Sequence, residues 1–420
     1  MGTSLSLRGR TSHGDPLPVI EAVLGDAAGV LVPRIEHLVS DAGQPLLVVH
    51  LHPAAEPVRV TELGAGRLEF EALTGTAGPG YHAFVAERLH ALAAQLPLVW
   101  EHVEDESGHF ESGDLVALEN ATLRWLSATA MEVLSLHARG YRGLQLSLPE
   151  GTVFEHDGVV ATPMGPRDKA WLEAVARTPR SGIDVFPWWT PGLGASTLRG
   201  LSLSTLWLDL RWRKPLIEAE RALLATVLGW LERGHDLDPQ LAWPWREWSE
   251  LFEILGEESL RATRAHLRAT AGGLAMPIGF RRRPVRVTLS GGWSLRVPGE
   301  LAERWEDPST WVGWDGGRSI WFSSLEVASS HSSEDTLEAL PPLEGQGELM
   351  GLERDDVRAI ARFDAGDEDG RILVTLRAHA AMGAHAAVGT FVLEHEKDRD
   401  WALETWASAA HLDEPRRARD

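Results

Sequence analysis

Two histidines spaced two apart, His50 and His52 in the run VVHLHP, are the first residues of this chain whose types and spacing suit chemistry. On an extended strand, side chains at i and i+2 share a face, so both imidazoles would face one metal ion. Two ligands do not complete a site, and the later histidines fall elsewhere: His137 in a predicted helix, His156 at a predicted turn and His235 in a linker. The pair reads as structural or partly exposed, with a metal-dependent hydrolase using His50 and His52 as the alternative.

The stretch Glu101–Asp114, EHVEDESGHFESGD, gathers carboxylates beside His102 and His109, the raw material of acid–base work or cation binding. It lacks the turn glycine and final glutamate of a calcium loop, so it reads as a solvated loop ending in a helix cap, with Ser112 or Asp114 as the cap. Gly192–Ser196 (GLGAS) and Gly75–Gly80 (GTAGPG) have neither the lysine of a phosphate loop nor the strand–GxGxxG–helix context of a dinucleotide site. No GxSxG elbow occurs. No catalytic residue, metal or cofactor is therefore expected.

Tryptophan supplies the strongest local signal, with 18 tryptophans against 2 tyrosines. The clusters are Phe186-Pro187-Trp188-Trp189, then Trp207 with Arg211-Trp212-Arg213, then Trp243-Pro244-Trp245-Arg246-Glu247-Trp248. Trp207 to Arg211 is a helical i,i+4 step that would lay a guanidinium on an indole face. Arg246 could act likewise toward Trp243 or an outside carboxylate. One reading makes this a recognition surface of Trp188, Trp189, Trp207, Arg211, Trp212, Trp245 and Arg246. The other makes it core between helices, with the arginines pairing Glu218, Glu220 or Glu247.

Composition narrows the partner. The 40 basic and 61 acidic residues leave a net charge of −21, which repels phosphate backbones and makes nucleic acid a poor ligand. Zero cysteines remove disulfides and thiolate chemistry. No apolar run is long enough to span a bilayer, so no membrane insertion is expected, and the N-terminus lacks the apolar core of a secretory signal, which points to the cytoplasm.

The elements that must position these residues are α+β. Residues 1–16 read as a flexible tail, and 17–270 as a mixed α/β domain with a Trp-rich helical portion. Its strands are Pro45–Pro53, the hairpin Val58–Leu63 and Arg67–Ala72 around Gly64-Ala65-Gly66, Gly143–Pro149, and Thr152–Ala161 reversing at His156-Asp157-Gly158. Its helices are Leu17–Leu24, Tyr81–Leu96 with Phe84, Leu89, Leu92 and Leu96 on one stripe, Asp114–Ala138, Arg167–Arg177, the Gly192–Leu255 region and the charged Glu257–Thr270.

Ala271-Gly272-Gly273 marks the domain boundary, and 276–412 reads as a second domain before a tail at 413–420. Strands are expected there at Pro284–Leu289, Trp293–Pro298, Ser319–Val327, Asp356–Phe363, Arg371–His379 and Ala386–Glu396. A long loop is expected at Ser329–Gly347 and a closing helix at Trp401–His411.

Residues 80–256, with YHAFVAERLHALA, ESGDLVALENATLRWL, TPMGPRDKAWLEAV, FPWW and WPWREW, resemble a bacterial family of uncharacterised proteins. The C-terminal third, through WSLRVPGELAERWED (Trp293–Asp307), SIWFSSLEV (Ser319–Val327) and GTFVLEHEKDRDWALETWASAAH (Gly389–His411), is similar to the PsbP-like superfamily, which includes chaperones of type VI secretion effectors. That resemblance implies a strand, a Val-Pro and a helix, then an antiparallel sheet packed with helices, carrying no catalytic residues and holding a partner protein. The expectation is a non-catalytic protein-binding protein, an adaptor, chaperone or immunity-like factor of a bacterial secretion or conflict system.

Overall fold

The computed structural model describes residues 3–25, 34–40, 42–148, 151–271, 277–328, 332–345, 347–354, 357–368 and 371–411. The protein is α+β, with antiparallel sheets and helices in two compact units. The first takes Met1–Pro149, His156–Leu210 and Glu218–Gly279; the second takes Glu150–Glu155, Arg211–Ile217 and Phe280–Asp420. The units are therefore interleaved along the sequence rather than divided near residue 272.

In the first unit β1 (Ser4–Arg10) precedes α1 (Leu17–Gly25), followed by β2 (Arg34–Val39), β3 (Pro45–His50), β4 (Val58–Gly64) and β5 (Arg67–Leu73). Helix α2 (Pro79–Gln95), β6 (Val99–Asp105), the single turn α3 (His109–Ser112) and α4 (Leu115–Ala138) come next. The six strands make one antiparallel sheet in the order β2-β3-β4-β5-β1-β6. The hairpin expected at Gly64-Ala65-Gly66 is β4–β5, whose turn places all three residues at positive φ.

The expected N-terminal tail is instead an interior strand. Leu7 is fully buried and pairs with Phe70 on one side and Val103 on the other. Only Leu5 and Leu7 alternate with Ser4, Ser6 and Arg8, too short a period-two signal to stand out from a polar leader.

The α2 stripe is buried as expected, through Phe84, Leu89, Leu92 and Leu96. Asp114 caps α4, its Oδ1 accepting from Val116 N at 2.9 Å and Ala117 N at 3.0 Å. The chain continues through β7 (Leu144–Gln145), β8 (Thr152–Phe154), β9 (Val160–Thr162) and β10 (Gly165–Arg167). Five helices follow: α5 (Lys169–Arg177), α6 (Ala195–Leu208), α7 (Glu218–Leu237), α8 (Trp245–Leu255) and α9 (Leu260–Ala271). Leu126 and Ala130 of α4, Val160 of β9 and Leu172 and Val175 of α5 share one buried cluster with Phe186.

The second unit adds β11 (Val285–Thr288), β12 (Trp293–Val297), β13 (Ala302–Asp307), β14 (Thr310–Trp314), β15 (Arg318–Glu326), α10 (Ser333–Ala339), β16 (Leu349–Arg354), β17 (Val357–Glu368), β18 (Arg371–Met382), β19 (His385–Leu393), α11 (Arg399–Ala407) and β20 (Ala410–His411). Seven strands form an antiparallel sheet in the order β13-β14-β15-β19-β18-β17-β16, and a smaller sheet runs β20-β12-β11-β8. Trp406 of α11 is fully buried, its ring 6.2 Å from that of Phe391.

Three expectations change here. The reversal at His156-Asp157-Gly158 does not make a hairpin: β8 pairs with β11 in the second unit, whereas β9 pairs with β10 and β7 in the first. The segment after the Val-Pro of Pro298 is strand β13 rather than helix. It is an edge strand: Arg304, Glu306 and Asp307 serve its exposed edge, while Glu303 turns to Arg211 and Arg281, so the helix that the resemblance implies does not form. The expected loop at Ser329–Gly347 contains α10, capped by Ser332 Oγ accepting from Asp335 N. Gly272 and Gly273 of the expected boundary and the tail at 413–420 lie outside the described residues.

Candidate functional site

The seven tryptophan and arginine candidates divide between the units. Trp188, Trp189, Trp207, Trp245 and Arg246 belong to the first, Arg211 and Trp212 to the second. Trp188 is fully buried; its N–H donates to Ala77 O, and its carbonyl accepts from Gly80 N at 3.1 Å. Gly78, at φ 112°, has no room for a side chain, because a Cβ would lie 2.7 Å from Trp188 O. The glycines of GTAGPG thus admit the backbone of FPWW. Trp189 packs its ring 5.6 Å from Phe186, and Trp207 is half-buried on α6.

Arg211 and Trp212 are not a free recognition face. Helix α6 ends at Leu208, so Trp207 and Arg211 are not one helical turn apart. Arg211 Nε donates to Leu301 O at 2.9 Å, and its Nη2 donates to Glu303 Oε1 at 2.9 Å, an atom that also accepts from Arg281 Nη1 at 2.8 Å. Burial works against the Glu303 charge, but the flanking Arg281 and Arg211 hold its carboxyl below the ordinary range. The Arg282 guanidinium lies 3.5 Å over the Trp212 ring. These contacts fasten residues 211–217 within the second unit.

The histidine pair does not share a face, because β3 ends at His50. Arg34 Nη2 donates to His50 Nε2 at 3.1 Å, with Glu36 Oε1 3.4 Å from the same nitrogen. Burial and the Arg34 charge lower the His50 pKa. His52 turns into the core, 3% exposed, its ring 5.5 Å from Tyr81 and 6.1 Å from Trp188. Its Nδ1 accepts from Ala54 N at 2.9 Å, which puts the proton of the neutral ring on Nε2 and leaves no lone pair there for a metal. Burial pushes the His52 pKa down to about 3. Among the described residues, no group of three or more histidines, cysteines or carboxylates is placed to hold a metal ion.

The acidic stretch becomes β6, α3 and the Asp114 cap, and one of its carboxylates is internal. Asp105 Oδ1 accepts from Ser107 N at 2.8 Å and Ser107 Oγ at 2.7 Å; Oδ2 accepts from Phe110 N at 2.7 Å and faces His82 Nε2 at 3.4 Å. Thr74 Oγ1 lies 2.7 Å from His82 Nδ1 and 3.0 Å from Thr3 O. Burial opposes ionisation of Asp105, yet the bonds from His82, Ser107 and Phe110 hold its carboxyl well below the ordinary range. His, Asp and Ser are the residue types of a hydrolytic triad, but the Ser107 hydrogen goes to the carboxylate rather than to the imidazole. The side chains of His82 and Asp105 are 0% and 2% exposed. The set locks α2 to the β6–α3 corner.

The remaining candidates, Trp245 and Arg246, lie on α8 beside a surface that the tryptophan clusters do not reveal. Trp245 stacks on Trp248 with centroids 4.7 Å apart and planes 4° apart. His235 of α7 stands edge-on to Trp243, Trp245 and Trp248. Gly234 admits Trp243, since a Cβ there would lie 2.4 Å from its ring. Arg268 of α9 lies 5.5 Å over Trp245, and Arg261 Nη1 donates to Glu232 Oε2 at 2.6 Å.

Helix α9 turns small residues inward: Ala265 is 1% exposed, with Ala262 and Ala269 half-buried on the same side. Opposite them Leu260 is 91% and Leu267 64% exposed. A seven-residue step brings the second leucine within about 20° of the first, about 10 Å along the axis. In LRATRAHLRATA the two largest apolar residues fall on the side away from these alanines, so the sequence alone would turn the leucines inward.

No protein-family model matches the chain, and no curated protein matches it. Six chains among solved structures match. One, a protein of Bacteroides thetaiotaomicron VPI-5482 with a crystal structure at 1.50 Å, is 12% identical with a TM-score of 0.24, over 29% of this chain and 45% of that one. The chain thus spans less than half the length of that structure. No helix among the described residues is long and apolar enough to cross a membrane.

Proposed function

We propose that this chain is a non-catalytic protein-binding protein of the cytoplasm, an adaptor, chaperone or immunity-like factor in a bacterial secretion or conflict system. Its partner docks on the outer face of α9, the side turned away from Trp245 and α8. The observation that carries this reading is the pair Leu260 and Leu267, 91% and 64% exposed on the side of α9 opposite buried Ala265. Covering what both leucines expose would contribute about 2–5 kcal/mol, enough to matter in an interface and unused in the isolated chain.

The resemblance of Trp293–His411 to PsbP-like domains, which hold partner proteins, supports the same class of function through its antiparallel sheet and α11, with β13 standing where it implies a helix. The test is affinity capture from native lysate with the full chain and with a Leu260→Asp/Leu267→Asp variant of unchanged melting temperature. A protein retained by the wild type and lost with the variant is expected; the same proteins captured equally by both would overturn the reading.

A further inference from the structure

Resting on that reading, we infer that the partner presents an acidic amphipathic helix, which pairs with α9 as a short two-helix seam. The seven-residue spacing of Leu260 and Leu267 is the heptad repeat of a helix–helix seam. Thr263 and Thr270 occupy the intervening seam positions, and Arg264 and His266 stand on its two flanks, all four exposed. In such a seam the flanking residues select the partner by charge.

No aspartate or glutamate lies in Leu260–Ala271, whereas three arginines do. Arg261 is engaged by Glu232 and Arg268 lies over Trp245, both on the side of α9 that faces α7 and α8. Arg264 is exposed beside the leucines, its charge also felt by His235 of α7, so the complementary helix carries carboxylates beside its apolar positions. The chain as a whole repels acidic partners at long range, but that field is screened within about 10 Å, and contact pairs at the seam decide the fit. An anionic bilayer shares the charge requirement but suits the surface less well. The stripe is two leucines with Thr263 between them and Thr270 beyond, narrower than the apolar face of a helix that lies in an interface.

The test is selection of binders to the full chain from a display library of peptides of about 21 residues, three heptads in length, with counter-selection against Leu267→Asp. Enriched sequences that depend on Leu267, repeat apolar residues every three and four positions and carry net negative charge are expected. The best of them, as a synthetic peptide, should bind about tenfold more weakly to Arg264→Glu. A charge-reversed lysine version should recover on that variant. Leu267-dependent peptides that are neutral, basic or without helical spacing would overturn this inference and leave the protein-binding reading standing. No Leu267-dependent peptide at all would overturn this inference, and with equal lysate capture by wild type and variant would overturn the protein-binding reading as well. Binding to vesicles containing phosphatidylglycerol that Arg264→Glu abolishes would replace the helix by a membrane surface.

Discussion

Burial of His52 makes a quantitative demand on the pH dependence of stability. Its pKa falls from 6.5 to about 3 because the ring is taken out of water against Tyr81 and Trp188. Below pH 6.5 the unfolded chain binds a proton that the folded chain refuses, so stability is lost as the pH falls toward 3. Between pH 7 and pH 5 the loss from this one residue is about 2 kcal/mol. His52→Asn keeps an acceptor for Ala54 N and removes the titration. It leaves a gap beside Tyr81 and Trp188 that costs about 1–3 kcal/mol at pH 7.

Urea unfolding at pH 7 and pH 5 separates the two effects: the wild type should lose about 2 kcal/mol more than the variant between the two pH values. Equal losses would refute the reasoning, because His52 would then take up its proton in the folded protein. That is the behaviour of an accessible ring with a free nitrogen, which a metal ligand at this position would need.

Other substitutions probe the two buried ion sets. Asp105→Asn removes the charge that accepts from Ser107, Phe110 and His82; a loss of about 2–4 kcal/mol in urea unfolding at pH 7 is expected, with faster amide exchange at Phe110. The Asp105 carboxyl is depressed, so its contribution is present above about pH 4 and fades in more acid solution. The difference between wild type and variant should therefore shrink at pH 2–3, as read by the same urea titration. Glu303→Ala strands Arg211 and Arg281 without their shared acceptor and should cost about 3–5 kcal/mol in thermal or urea unfolding. A change near zero would mean that water replaces the carboxylate there.

The parts of the fold that depend on local signals were legible in the sequence. The β4–β5 hairpin follows from Gly64-Ala65-Gly66, the start of α4 from Asp114, and the α2 stripe from its apolar spacing. What could not be read locally is partner choice across distance. Ser4–Arg10 becomes a strand because β5 and β6 flank it, and Thr152–Phe154 leaves its sequence neighbours to pair with Val285–Val287.

The site shows the same division. Tryptophans close in sequence mark packing, as Trp188 and Trp248 are almost fully enclosed, and Arg211 finds Glu303 ninety-two residues away. Leucines 260 and 267 sit in a short charged helix expected beside the domain boundary. Only the position of Ala265 against the rest of the unit reveals that their side faces outward.

The most direct measurement is photo-crosslinking in cells from a benzoylphenylalanine placed at Leu267, compared with one at Met131, which is 54% exposed on α4. A discrete adduct with another protein from position 267, absent from position 131 and lost when Leu260 is also changed to Asp, is the predicted result. No adduct from position 267, or the same adducts from both positions, would contradict the assignment of α9 as the docking face.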